Sequence, residues 1–164
     1  MARQVQINPA QQGPLDAQND RNREQMFALL QQIAPLPSGN AFPTVGVLGT
    51  GTYRGAIINN TCDVTGLNDP QVVGKVTLNA SAIISGVHFR EEIDVGAVAT
   101  VGFYRCRFEK VINVAAGGAI AATACRFDGT SAILNAGVAA DAGSTGCVKT
   151  SVTAHTNTTI VNEV

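Results

Sequence analysis

Short segments of alternating apolar and polar residues recur at a fixed interval between Ala82 and Ala140. Each segment reads apolar, polar, apolar, which is the period-two pattern of a half-buried β-strand. A shift of 19 positions superposes the segments and aligns similar residues in columns. A period of this length is typical of a solenoid, in which one structural unit stacks on the next. The columns are Val87 with Cys106 and Cys125; Phe89 with Phe108 and Phe127; Ala82 with Val101 and Ile120; Ile93 with Ile112; and Val95 with Val114 and Ile133.

The repeat predicts a parallel β-helix rather than a solenoid of helices. Its 19 residues are too few for a helix-turn-helix unit. The outward positions support the same register, because Arg90 aligns with Glu109 and Glu91 aligns with Lys110, which places opposite charges on neighbouring coils. The predicted fold class is mainly β: a small parallel β-helix with coils of about 19 residues, preceded by an extended N-terminal arm and one short helix.

The chain divides into four predicted segments. Residues 1–14 are polar and interrupted by Pro and Gly, which predicts an extended arm. Residues 15–35 are predicted to form a short helix, because Asp16 is a possible N-cap and Pro35 ends the segment. Residues 36–52 are predicted to be a linker and a first strand, and residues 53–164 the β-helix body. Within the body, Cys62 and Val64 alternate as Val87 and Phe89 do, which predicts an imperfect first coil lengthened at residues 66–70.

The apolar residues of the predicted helix allow two interpretations. Met26, Leu29 and Ile33 follow a 3-then-4 spacing, and such a seam can pack three short helices together as a trimer stalk. Alternatively, the helix caps the open end of the solenoid core. One heptad is too short for a coiled coil to be stable alone, so either role requires further packing.

The chain carries little charge. Charged residues make up 14% and aromatic residues 5%, and the formal net charge is −1. Without a basic surplus there is no electrostatic case for nucleic-acid binding. No apolar run approaches the roughly 20 residues that span a bilayer. We therefore expect a soluble protein made in a cytoplasm, with neither nucleic acid nor a membrane as a partner.

The cysteines are predicted to be core residues. They lack a Cys-x-x-Cys pair, so a zinc site is not expected, and no other cofactor is implied. Stacked coils lie about 4.8 Å apart, which would permit a disulfide. Reduced, packed thiols are nevertheless the expectation for a protein of cytoplasmic origin. The four residues are Cys62, Cys106, Cys125 and Cys147.

The sequence offers little for catalysis. It contains two histidines, and it shows no nucleophile elbow, phosphate-binding loop or metal-ligand spacing. The repeat accounts for some of its carboxylates, because Glu91 faces Lys110 and Asp94 takes the position of Asn113. We therefore expect that the protein is not an enzyme. The carboxylates from which a glycosidase pair could be drawn are Asp63, Glu91, Glu92, Asp94 and Asp128.

One outward column is the best candidate for ligand contact. It contains His88, Arg107 and Arg126, three basic or potentially basic residues at intervals of one coil. Such a column could bind an anionic saccharide or an acidic surface of a partner protein. The alternative is a solvated face whose charge is balanced by Glu109 and Asp128.

A polar arm, a short helix with an apolar seam, a Pro/Gly linker and a β-helix together resemble small virion proteins of tailed bacteriophages. The most similar classes are trimeric head-decoration (cement) proteins and head or tail fibres. The resemblance implies a homotrimer located on a virion, in which the arm binds capsid or tail proteins and the body projects outward. On this basis the capsid-anchoring residues are Arg3, Val5, Ile7 and Pro9.

The function implied by the resemblance is that of a structural virion protein, a head-decoration or head-fibre protein attached to the capsid through its N-terminal arm. In that arrangement residues 16–34 form the trimer stalk. The alternative is a tail fibre or receptor-binding module that recognises a saccharide on the host surface.

Overall fold

Three parallel β-sheets run along residues 35–164, the part of the chain that the computed structural model describes. Each sheet takes every third strand in chain order, so each coil contributes one strand to each sheet. About six coils of about 19 residues stack in this way. The mainly-β class and the small parallel β-helix are therefore confirmed. The predicted arm and nearly all of the predicted helix fall on residues 1–34, outside the described residues.

The seven-stranded sheet contains β1 Val45–Leu48, β4 Cys62–Gly66, β7 Ala82–Ser85, β10 Thr100–Tyr104, β13 Ala119–Thr123, β16 Ala142–Thr145 and β18 Thr159–Val161. The six-stranded sheet contains β2 Thr52–Tyr53, β5 Gln71–Val72, β8 His88–Phe89, β11 Arg107–Phe108, β14 Arg126–Phe127 and β17 Val148–Lys149. The five-stranded sheet contains β3 Ile57–Ile58, β6 Val76–Leu78, β9 Ile93–Val95, β12 Ile112–Val114 and β15 Ile133–Asn135. A short 3₁₀ helix, Ala139–Asp141, precedes β16.

The predicted columns form ladders of stacked side chains in the core. Phe108 pairs with Phe89 in one neighbouring coil and with Phe127 in the other, and all three rings are buried. The ring centroids are 5.8 Å and 5.2 Å apart, and the ring planes are inclined by 10° and 28°. Such stacking adds to the roughly 1.5–3 kcal/mol that each buried Phe contributes. The other pairs that keep the predicted register are Ala82 with Val101, Val101 with Ile120, Ile93 with Ile112, and Val95 with Val114.

One predicted column changes register in the last coil of the five-stranded sheet. Ile133 pairs with Ile112 and not with Val114, so its predicted place in the column was wrong. The corner that follows Phe127 is two residues longer than the corner one coil earlier. Gly129, with φ of +60°, lies in this longer corner and allows the tighter turn.

The solenoid begins before Tyr53, where the body was predicted to start. Strand β1 already pairs with β4. Cys62 also lies in a different ladder from the predicted one, because it pairs with Ala82 in the seven-stranded sheet. Val72 is the residue that stacks on Phe89. Residues 66–70 form a non-periodic segment, which we call the excursion, between the strand of Cys62 and the strand of Val72. The 19-residue period cannot be followed across it.

The corner that leads into the six-stranded sheet adopts the left-handed conformation in four successive coils. Glycine favours this region, whereas a residue with a Cβ is less stable there. The residues are Gly86 with φ of +67°, Arg105 and Ala124 with φ of +52°, and Gly146 with φ of +59°.

Cysteine follows this corner in three of the four coils. The Cys106 thiol donates to the Ile84 carbonyl at 3.4 Å, and the Cys147 thiol donates to the Ala122 carbonyl at 3.4 Å. Each thiol thus supplies a weak donor to a carbonyl of the coil below while filling the space of a small apolar side chain. All four cysteines are free and buried, as expected of core residues. Burial, and secondarily the Asp63 carboxylate, raises the pKa of the Cys62 thiol to about 11.

Residues outside the regular coils close both ends of the described core. At the N-terminal end the Tyr53 hydroxyl donates to the Leu36 carbonyl at 2.6 Å. At the C-terminal end the His155 ring packs edge-on against Phe127, with centroids 4.8 Å apart. Irregular terminal units of this kind are expected, because a solenoid of few coils would otherwise expose its core at both ends.

Replacing Phe108 by Ala should lower the free energy of unfolding by about 3–5 kcal/mol, because it removes the middle ring of the ladder and leaves a cavity. Urea denaturation followed by circular dichroism measures this loss. Tyr104→Ala, which removes a half-exposed ring one strand away, is the control and should cost less than about 1 kcal/mol. Equal losses in the two variants would contradict the ladder.

Candidate functional site

The three predicted ligand-contact residues lie in one outward ladder of the six-stranded sheet. Arg107 pairs with His88 on one side and with Arg126 on the other. The Arg107 and Arg126 side chains are 44% and 54% exposed, whereas the His88 side chain is 5% exposed. The structure therefore brings the three residues together but presents only the two arginines to solvent.

Both arginines are held by one carboxylate. Arg107 Nε donates to Asp128 Oδ2 at 2.7 Å, and Arg126 Nε donates to Asp128 Oδ1 at 2.8 Å. The Thr150 hydroxyl also donates to Asp128 Oδ1. Burial acts to raise the pKa of Asp128, but the hydrogen bonds from Thr150, Arg126 and Arg107 outweigh it and hold that pKa below its ordinary value. This geometry favours the interpretation of a charge-balanced face.

His88 was predicted as an outward ligand contact, and its burial corrects that prediction. The ring does point away from the core, but the excursion at residues 66–70 covers it. The His88 amide donates to the Pro70 carbonyl at 2.9 Å, and Asp69 Oδ2 lies 3.8 Å from Nδ1. The repeat could not predict this contact, because the excursion departs from the period.

Glu109 completes the same cluster. Its Oε1 lies 2.8 Å from His88 Nε2, and its Oε2 accepts from Arg90 Nε at 3.4 Å, which confirms the predicted Arg90–Glu109 pair. Burial acts to raise the pKa of Glu109, but His88 and Arg90 outweigh it and lower that pKa. The predicted partnership of Glu91 and Lys110 is not among the ion pairs of the described residues. Both side chains lie in corners beyond the paired strands, where no ladder sets their orientation.

A second group of charges lies on the five-stranded sheet. Lys75 Nζ lies 2.6 Å from Asp94 Oδ2, and Asn113 Nδ2 donates to Asp94 Oδ1 at 3.0 Å. The Asp94 and Asn113 positions pair as predicted. Burial acts to raise the pKa of Asp94, but the Lys75 and Asn113 hydrogen bonds outweigh it and lower that pKa. Asp94 therefore serves as the partner of a lysine.

The structure brings together a serine, a histidine and a glutamate that sequence reasoning did not connect. The Ser144 hydroxyl donates to Glu163 Oε1 at 2.8 Å, and His155 Nε2 lies 3.0 Å from the same oxygen. His155 Nδ1 accepts the Ile133 amide at 2.8 Å. Nucleophilic catalysis needs the imidazole between the hydroxyl and the carboxylate. Here the carboxylate lies between them and the second ring nitrogen is occupied, so the cluster fastens the C-terminal segment to the core.

The outer surface of the seven-stranded sheet differs from the other two in its small side chains. We call the outward positions Ile83, Gly102, Ala121 and Gly143, with Asp63 at one end, the small-residue face. A shallow cavity of about 610 Å³ lies over it and reaches Tyr104 and Asp141 at its edges. The face has small or apolar side chains at its centre and carboxylates at its rim.

Other candidate chemistry is limited within the described part of the chain. Among residues 35–164, no group of three or more His, Cys, Asp and Glu side chains is arranged to hold a metal ion. No described helix is long and apolar enough to cross a membrane. The predicted capsid-anchoring residues and trimer-stalk residues lie outside the described residues; they are Arg3, Val5, Ile7 and Pro9, and Met26, Leu29 and Ile33.

Comparison of the chain with protein-family models, with curated proteins and with solved structures finds no match. The role of the protein is therefore argued from its own geometry.

Asp128→Asn should lower the free energy of unfolding by about 1–3 kcal/mol at pH 7, because the amide no longer holds two guanidinium groups. The folded-state pKa of Asp128 is depressed, so this stabilisation is present above the unfolded pKa of about 3.9 and is lost as the pH falls below it. Urea denaturation at pH 7 and pH 3 should therefore show a gap between the two proteins that narrows in acid. A gap independent of pH would contradict the assignment, and Asp63→Asn is the matched control with no expected gap.

Proposed function

We propose that the protein is a structural component of a tailed-phage virion, a trimeric head-decoration (cement) or head-fibre protein attached to the capsid through its N-terminal arm. The β-solenoid is compatible with fibre-like structural proteins. Stacked coils with continuous backbone pairing make a stiff body, which suits a part that must project from a particle.

The distribution of charge supports a structural role over a catalytic one. Asp128 and Glu109 bind the basic column, and Asp94 binds Lys75. A glycosidase needs two carboxyl groups that flank a sugar and keep different protonation states. The pKa values of all three of these carboxyl groups are lowered, so none of them is poised to donate a proton near neutral pH.

The small-residue face is the observation that carries the proposal. Ile83 is half-exposed on it, and Ala121 and Gly143 leave their backbone open to close approach, whereas the Tyr104 ring lies over Gly102. A surface of small and apolar side chains is one against which a second chain can pack. Three copies arranged around an axis parallel to the solenoid would each cover this face of a neighbour, which gives a homotrimer.

The saccharide-binding alternative has less support. Its candidate residues were His88, Arg107 and Arg126, of which the first is buried and the other two share the Asp128 carboxylate. We therefore retain the structural role as the proposal.

The full-length protein should have the native mass of a trimer, measured by light scattering after size-exclusion chromatography. Ala121→Arg places a long cation in the centre of the small-residue face and should shift the mass to that of a monomer without changing the circular dichroism spectrum. Val152→Arg is the matched control, because it places the same cation at a residue that is 94% exposed and lies outside the three sheets. A monomeric wild-type protein, or a trimer that survives Ala121→Arg, would contradict this interface.

Deleting residues 2–14 should abolish binding to purified capsids that lack the protein, while the melting temperature of the body stays unchanged. The combination Val5→Ser and Ile7→Ser should act like the deletion, because it removes the two apolar residues that the arm can bury. Gln11→Ser with Gln12→Ser is the matched control and should bind normally. Co-sedimentation with capsids measures the difference, and undiminished binding of the deleted protein would refute the anchor assignment.

A further inference from the structure

The buried ring of His88 has one nitrogen without a hydrogen-bond partner. Nδ1 is shielded from solvent and makes no hydrogen bond among the described residues. The nearest carboxylate oxygen is Asp69 Oδ2, 3.8 Å away, on the excursion at residues 66–70. Buried polar atoms normally have a hydrogen-bond partner, so an unpaired nitrogen beside a carboxylate requires an explanation.

The charged groups around the ring come from two coils besides its own. Asp69 faces Nδ1 from the preceding coil, and Glu109 faces Nε2 from the following coil. Arg90, on the same coil as His88, binds Glu109, and the stacked Arg107 binds Asp128. The two groups that touch the ring directly are therefore both carboxylates.

The hydrogen bond to Glu109 determines what a second proton would do. An ionised carboxylate only accepts, so Nε2 carries the hydrogen in the neutral ring and Nδ1 presents a lone pair toward Asp69. When Nδ1 takes a proton from a hydronium ion, one O–H bond breaks as the N–H bond forms and a water molecule is released. The ring becomes a cation with a donor aimed at Asp69, and the hydrogen bond between Nε2 and Glu109 persists.

We infer that His88 is a proton-dependent latch, which fastens the excursion at residues 66–70 to the body through Asp69. The excursion is held at its two ends, where the Leu67 amide donates to the Leu48 carbonyl at 2.8 Å and the Pro70 carbonyl accepts from His88. Between them, Asn68 and Asp69 have φ of +59° and +57°, a region that residues with a side chain adopt at a cost. The Thr50 hydroxyl also holds the middle of the excursion, because it donates to the Asn68 carbonyl at 3.4 Å. The protonated latch adds a second contact that opposes the backbone strain, and deprotonation removes it.

His155 provides an internal comparison. Its Nδ1 accepts the Ile133 amide at 2.8 Å. The Nδ1 atoms of the two histidines therefore differ in their surroundings: that of His155 faces a hydrogen-bond donor, whereas that of His88 faces a carboxylate.

The test uses full-length protein labelled with ¹⁵N and follows both imidazole rings by two-bond ¹H–¹⁵N spectra between pH 8 and pH 5. As the pH falls, His88 should gain a second N–H. Over the same interval, exchange of the Leu67 amide, which donates to the Leu48 carbonyl, should slow by about three- to fivefold after correction for its intrinsic pH dependence, the size expected for one partly exposed ion pair. A cationic His88 without slower exchange, or a His88 that stays neutral, would overturn the latch.

Asp69→Asn should abolish the slowing while leaving the circular dichroism spectrum unchanged, because Asn tolerates the left-handed backbone and Asp69 is largely exposed. Glu91→Gln removes an equal charge from an exposed corner residue, which forms no ion pair among the described residues, and should retain the full slowing. If the two variants exchange alike, the latch is refuted.

Discussion

Parallel in-register stacking is the constraint on which the rest of this structure depends. Within the paired strands, each side chain lies directly above its partner in the preceding coil, so a buried position in one coil stacks on a buried position in the next. Phe89, Phe108 and Phe127 satisfy this rule inside the core, where flat rings stack with their faces parallel or nearly so. A single different residue in such a column would disturb two neighbours rather than one, which explains why the chain repeats itself most strictly in its middle coils.

The same rule imposes a cost on the outer surface. Arg107 and Arg126 are stacked one coil apart, about 4.8 Å, where two like charges repel. Asp128 lies between their guanidinium groups and compensates for that repulsion. On another sheet, Asp94 likewise has two partners, Lys75 and Asn113, although no like charges are stacked there. When like charges stack in a column of a solenoid, the side chains that neutralise them should therefore be identified before the column is interpreted as a ligand site.

Prediction of buried residues and charge pairs from the sequence succeeded where the 19-residue period holds. Over Ala82–Asn113 the spacing is uniform, so alternation predicted both the buried residues and the Arg90–Glu109 pair. It failed for Ile133 because a corner had gained two residues, an insertion that does not alter the apolar pattern enough to be detected. It also failed for the exposure of His88, which depends on the path of a non-periodic excursion. Contacts such as Ser144 with Glu163 join segments whose similarity to the repeat is too weak to align them.

These failures share one physical origin, which is departure from the regular coil. Such departures also decide where side chains of this solenoid are shielded from water. A regular coil presents its outward side chains on an open sheet, where water competes for every hydrogen bond. An excursion or a longer corner adds a wall beside the sheet and removes that water. The excursion at residues 66–70 buries His88 between two carboxylates, and the C-terminal segment beyond the last full coil encloses Ser144 and His155. Since the exclusion of water strengthens the effect of neighbouring charges on a side chain, the interruptions of the period are places where this solenoid can acquire a response to its surroundings.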